Sequence, residues 1–75
     1  MPYKKYNRIR VALADKGKTN KWLAAQLKKS PNTVSRWCRN EMQPTIETFY
    51  QIAEILKIPV FDLFNPLERV DEDEE

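Results

Sequence analysis

Start and stop signals for helices recur so closely along this chain that no long element fits between them. Thr19, Ser30 and Thr45 each precede an apolar-periodic stretch, and their side-chain oxygens suit the cap of a first helical turn. Pro31 follows Ser30, at the first helical position, where a missing N–H costs nothing. Gly17 comes after the first apolar run and serves as a left-handed stop. Asn40 tolerates the same conformation, and Pro44 bars any continuation.

Five short helices follow from this punctuation. The first is expected from about Lys4 to Lys16, with Tyr6, Ile9, Ala12 and Leu13 on one face. The second runs from Thr19 to about Leu27, with Leu23, Ala24 and Leu27 inward. Lys28-Lys29 connect it to the third, where Val34, Trp37 and Cys38 point inward. The fourth follows Thr45, with Ile46, Phe49, Ile52, Ala53 and Leu56 as its apolar stripe. Glu47 lies near the positive end of that helix. Pro59 opens a fifth, with Val60, Leu63 and Phe64 available to close the core, and Asn65-Pro66 ends it. No strand-like alternation of useful length occurs. The expected fold is all-α, one domain over residues 3–66 with an acidic tail over 67–75. Asp71 to Glu75 is expected to be disordered through self-repulsion.

Composition narrows the function. A chain of 75 residues has little room for a deep catalytic pocket. It has no histidine and one cysteine, Cys38, which excludes an intramolecular disulfide and a zinc site of the usual composition. The carboxylates lack a pocket, so an enzyme is not expected. No cofactor or small-molecule ligand is evident. No apolar stretch suits a signal peptide or membrane span, which points to the cytoplasm. The net charge of +2 hides an asymmetry: residues 1–40 carry eleven basic side chains against Asp15 alone, and residues 41–75 carry two against ten acidic ones. A basic half suits a polyanion partner, though lysine-rich surfaces also serve solubility alone.

Two short helices joined by a tight turn, the second basic and polar outside, make a helix-turn-helix. Here the crossing would rest on Ala24, with Leu23, Leu27, Val34 and Trp37 as anchors. Pro31, Asn32, Thr33, Ser35, Arg36 and Arg39 would form the outer face of the third helix. Asn pairs with adenine, Arg with guanine, and a Thr methyl meets the thymine methyl. Asn32, Thr33 and Arg36 are therefore the candidate base readers, and double-stranded DNA the expected partner.

The same residues resemble the XRE (Cro, phage-repressor-like) helix-turn-helix family. The resemblance spans Ile9 to Phe64 and rests on Ile9-Arg10 with Lys16-Gly17, Leu23-Ala24-Ala25-Gln26-Leu27, Thr33-Val34-Ser35-Arg36-Trp37, Ile52-Ala53-Glu54-Ile55-Leu56 and Phe61-Asp62-Leu63-Phe64. It implies that Asn20, as second residue of the second helix, contacts phosphate and that Arg39 does so beyond the recognition helix. Lys21, Ser30 and Ser35 complete the expected positioning set. The family's usual turn glycine is Lys28 here and the apolar residue after it is Lys29. Lys28 must then adopt a strained backbone or a different turn, and both lysines gain access to phosphate. Glycine is also replaced at Asn40 and Lys57.

The expected function is a sequence-specific transcriptional regulator, a repressor. Two alternatives stay open: an antitoxin that binds DNA and a toxin, and a protein-interaction module without DNA. RNA binding is disfavoured, because no exposed aromatic pair suited to stacking is evident. Phe61, Phe64 and Leu67 either form a homodimer patch or close the core. Trp22 is expected to pack partly against the first helix, and Cys38 to be a packing filler rather than a redox group. The acidic tail either solvates the chain or folds over the basic face. With no effector domain after the helix-turn-helix, regulation would come from a partner, concentration or degradation.

Overall fold

The computed structural model describes residues 5–66. Lys4, Leu67 and the acidic segment Asp71 to Glu75 lie outside the described residues, as does the whole of 67–75. Among the described residues four α-helices form: α1 Ile9–Asp15, α2 Asn20–Leu27, α3 Pro31–Cys38 and α4 Ile46–Leu56. A single 3-10 turn, Val60–Leu63, follows.

The starts of α2, α3 and α4 are those that the sequence signals. Thr19, Ser30 and Thr45 accept hydrogen bonds from the backbone N–H of Trp22 (3.0 Å), Thr33 (3.1 Å) and Thr48 (3.1 Å). Each satisfies a donor that the first helical turn leaves without a partner.

The helix ends share one device. Gly17, Lys28, Asn40 and Lys57 all have positive φ, between 58° and 68°. After each, the next backbone N–H reaches five residues back: Lys18 to Leu13, Lys29 to Ala24, Glu41 to Arg36 and Ile58 to Ala53, at 2.9–3.0 Å. This is the Schellman closure. Only one of its four left-handed residues is glycine, so Lys28 and Lys57 hold a backbone that disfavours a Cβ. The Lys28→Gly, Lys57→Gly double variant is expected to be more stable by about 1–2 kcal/mol, net of the extra freedom glycine gives the unfolded chain. An unchanged or lower urea midpoint would refute that.

The core gathers Ile9, Ala12 and Leu13 of α1, Leu23 and Ala24 of α2, Val34, Trp37 and Cys38 of α3, Phe49, Ile52, Ala53 and Leu56 of α4, and Leu63. α2 packs most extensively on α3, while the 3-10 turn packs on α4 and α1. Phe64 lies half-buried with its ring 4.5 Å from that of Phe49, centroid to centroid. Leu27 and Val60 pack partly buried at the margin, and so do Ile55 and Ile58, which the expected stripe left out.

Three expectations need correction. The first helix starts at Ile9, not near Lys4, because Asn7 is extended: it forms an antiparallel bridge with Phe64, and its Oδ1 accepts the Ile9 N–H at 3.0 Å. Tyr6 thus precedes the helix and is exposed. Ile46 is 65% exposed; it is the first residue of α4, and the buried stripe begins at Phe49. The fifth helix is one 3-10 turn, since Phe64 leaves it with extended backbone to meet Asn7.

A buried polar clasp joins the segment before α1 to the end of α3. Asn40 Oδ1 accepts from the backbone N–H of Tyr6 (2.9 Å) and Asn7 (3.0 Å) and from Gln43 Nε2 (3.1 Å). Its Nδ2 donates to the Asn7 carbonyl at 3.2 Å. Asn7 Nδ2 donates to the Trp37 carbonyl (3.0 Å) and to Gln43 Oε1 (2.7 Å). Both asparagines are buried, so their side-chain amides need partners within the protein, and the bonds to the Asn7 backbone and to the Trp37 carbonyl are buried with them.

Candidate nucleic-acid interface

Proline at its first position and the Ser30 cap begin α3 at a defined residue. Its eight residues then separate by periodicity. Val34, Trp37 and Cys38 are buried against the core; Pro31, Asn32 and Arg36 are exposed, with Arg39 exposed just beyond the helix; Thr33 and Ser35 lie at the margin. The structure brings Asn32 and Arg36 to the outside of one short helix, with Arg39 at its C-terminal cap. It ties Thr33 and Ser30 together, since Ser30 Oγ donates to Thr33 Oγ1 at 3.0 Å.

The expected positioning residues divide into two groups. Lys21, Lys28 and Lys29 are exposed. Asn20 is the first residue of α2 rather than the second, and it is half-buried. Its Oδ1 accepts from Cys38 Sγ at 3.3 Å, which couples the start of α2 to the end of α3. Burial pushes the Cys38 thiol above its ordinary pKa, against the lowering pull of Arg10 and Arg39. A neutral thiol that donates to an amide is a packing group, not a nucleophile.

Sequence reasoning missed one group here. Glu41, the first acid of the acidic half, reaches back to α3. Arg39 Nε donates to its Oε2 at 2.6 Å, and Arg36 Nε lies 3.5 Å from its Oε1. The hydrogen bond from Arg39 holds the Glu41 carboxyl below the usual range; desolvation opposes it, and the charges of Arg39 and Arg36 add to the lowering. Glu41 takes its position from the turn after α3, so only the Asn40 terminator hinted at it. A shallow groove beside it is lined by Lys5, Arg8, Arg10 and Arg39 with Asn7 and Asn65, which extends the basic surface past the motif.

Trp22 packs half-buried against the core. Lys16, Lys18, Ile55, Leu56 and Lys57 surround it in a surface cleft, and Lys18 Nζ sits 4.7 Å from its ring centroid, a cation–π arrangement. Among the described residues no cluster of His, Cys, Asp or Glu suits a metal, and no helix is long and apolar enough to cross a membrane.

A family model described as helix-turn-helix matches residues 9–63, from the first residue of α1 to the last of the 3-10 turn. The chain belongs to the XRE-like helix-turn-helix family. A crystal structure of a Bacteroides fragilis protein inferred to bind DNA is 48% identical, with a TM-score of 0.79; the match covers 80% of this chain and 97% of that one. No curated protein sequence matches significantly. Within this helix-turn-helix, α2 and α3 are the motif pair, and Leu23, Ala24, Val34 and Trp37 are buried at their base. The left-handed Lys28, with φ 58° and ψ 42°, makes the turn between them. Lys29 stays exposed and adds no core contact.

Proposed function

We propose that this helix-turn-helix protein is a sequence-specific DNA-binding regulator, a repressor, that lays α3 in the major groove. One observation carries the reading. An eight-residue helix, anchored by Val34, Trp37 and Cys38, turns Asn32 and Arg36 outward with Arg39 just beyond its end, on the motif's recognition element. Arg36 and Asn32 read bases, with Thr33 beside them. Lys21, Lys28 and Lys29 meet phosphates; Asn20, Ser30, Ser35 and Arg39 position the helix. The reading is of a binding protein rather than an enzyme, and it carries a cytoplasmic location with it.

Fluorescence anisotropy against duplex from the gene's own upstream region tests this, repeated over a salt series. Binding should weaken steeply with salt, as counterion release requires. Arg36→Ala is expected to lose about 1–3 kcal/mol of discrimination at one base position, roughly 5–150-fold. Lys29→Ala should instead weaken all duplexes alike and flatten the salt slope by about one unit. Equal, weak binding of every duplex by the unaltered protein would overturn the reading.

A second reading, a DNA-binding antitoxin that also holds a toxin, is favoured by apolar exposure away from α3. Ile46 and Tyr50 lie four residues apart on α4, 65% and 60% exposed, and Phe61 is 71% exposed. A homodimer would cover such residues equally well. Sedimentation of the protein alone, then with the product of an adjacent gene, separates the two.

A further inference from the structure

Glu41 is placed by the closure of α3, not by chance of rotamer alone. Its backbone N–H donates to the Arg36 carbonyl at 2.9 Å, so its side chain starts beside the last turn of the recognition helix. From there its two oxygens meet two guanidinium groups: Oε2 takes the Arg39 Nε bond at 2.6 Å, and Oε1 stands 3.5 Å from Arg36 Nε. Arg39 is held again from the other side, donating Nη1 to Ser35 Oγ at 2.7 Å. The carboxylate thus sits between an expected base reader and an expected backbone contact.

We propose that Glu41 is a specificity-determining residue of the DNA interface: it fixes the arrangement of Arg36 and Arg39 and competes with DNA phosphate for them. This rests on the DNA-binding reading above. A phosphate that approaches the two arginines meets a like charge and must displace an anion already seated on their Nε groups. A guanine edge is neutral and presents O6 and N7 to a guanidinium without that repulsion. Glu41 therefore penalises contacts that carry no sequence information more than contacts that do. Pre-ordered arginines also lose less freedom on binding. Both arginine side chains are about half exposed (48% and 45%), and ion pairs at such sites add little to folding stability. The effect belongs to recognition.

Glu41→Gln keeps the shape and removes the charge; Glu47→Gln removes the same charge from an exposed position on α4 and is the control. The expected result for Glu41→Gln is tighter binding to random duplex, a salt slope steeper by about one unit, reduced preference for the target duplex, and an unchanged melting temperature. Glu41→Asp should restore part of the preference. Equal changes in Glu41→Gln and Glu47→Gln would overturn the proposal, since net charge alone would explain them. A fall in melting temperature with parallel losses on both duplexes would also overturn it, because Glu41 would then be structural. Elution from immobilised heparin keeps the two readings apart. Later elution of Glu41→Gln than of Glu47→Gln, in a protein that prefers no duplex, upholds anion competition while the sequence-specific reading falls. Identical elution, with a preserved duplex preference in both variants, refutes the role of Glu41 and leaves DNA reading intact.

Discussion

Replacing Asn40 by alanine is expected to destabilise the domain by at least about 3 kcal/mol, the sum of two losses. The backbone N–H groups of Tyr6 and Asn7 lose their shared acceptor, Asn40 Oδ1, and a buried unsatisfied donor costs about 1–3 kcal/mol. Alanine must also hold the φ of 60° that Asn40 adopts, which costs about 1 kcal/mol more for a residue without asparagine's tolerance. At about 4–8 °C per kcal/mol for a domain of this size, the melting temperature should fall by at least about 12 °C. Asn40→Gly separates the losses: it relieves the backbone, leaves the orphaned donors, and should fall about 1 kcal/mol less. Thermal unfolding of both variants checks this. A change within about 1 kcal/mol for Asn40→Ala would mean that water replaces the clasp.

Leu23→Ala is expected to cost about 3–5 kcal/mol. Leu23 is fully buried at the crossing of α2 and α3, and the surrounding backbone is held by caps and closures that resist collapse into the cavity. A domain of this length has only roughly 4–11 kcal/mol in total, so the variant should be marginally folded at room temperature. Ile46→Ala, an equally apolar truncation at the exposed start of α4, should change stability by less than about 0.5 kcal/mol. Urea titration of the two variants gives the comparison. Equal midpoints would mean that burial does not rank these positions.

What was legible in the sequence is what short-range chemistry dictates. The caps at Thr19, Ser30 and Thr45 depend on a side chain and a backbone N–H three residues apart, so the starts of α2, α3 and α4 were readable. The crossing of α2 and α3 was readable because Leu23, Ala24, Val34 and Trp37 obey the helical period on two adjacent elements. The Lys28 turn was readable as a conflict between residue type and required conformation, and the structure resolves it in favour of the strained backbone. The clasp was not readable. Asn7 and Asn40 stand 33 residues apart, and an asparagine at either site suits a turn or a cap as well as a buried network. The late start of α1 is hidden in the sequence for the same reason, since nothing local says that Asn7 pairs with Phe64. Glu41 was hidden by the charge count, which assigned it to the acidic half although the fold sets it on the basic face.

The clasp also determines how the domain answers to tension. Residues 5–8 and 63–65 run antiparallel, joined by Arg8 N–H to Leu63 O (2.7 Å), Asn65 N–H to Tyr6 O (2.9 Å) and Asn65 Nδ2 to Lys5 O (2.5 Å). The two ends of the described body therefore leave side by side. A force that draws them apart loads these bonds one at a time, as a zipper opens, rather than together in shear. Behind the zipper, Tyr6 and Asn7 are tied to the end of α3, through their N–H groups to Asn40 Oδ1 and through Asn7 Nδ2 to the Trp37 carbonyl. Mechanical strain on the N-terminal end thus passes to the closure of α3 through Asn40, while strain on the other end passes to the 3-10 turn and, through the Phe64 ring, to α4.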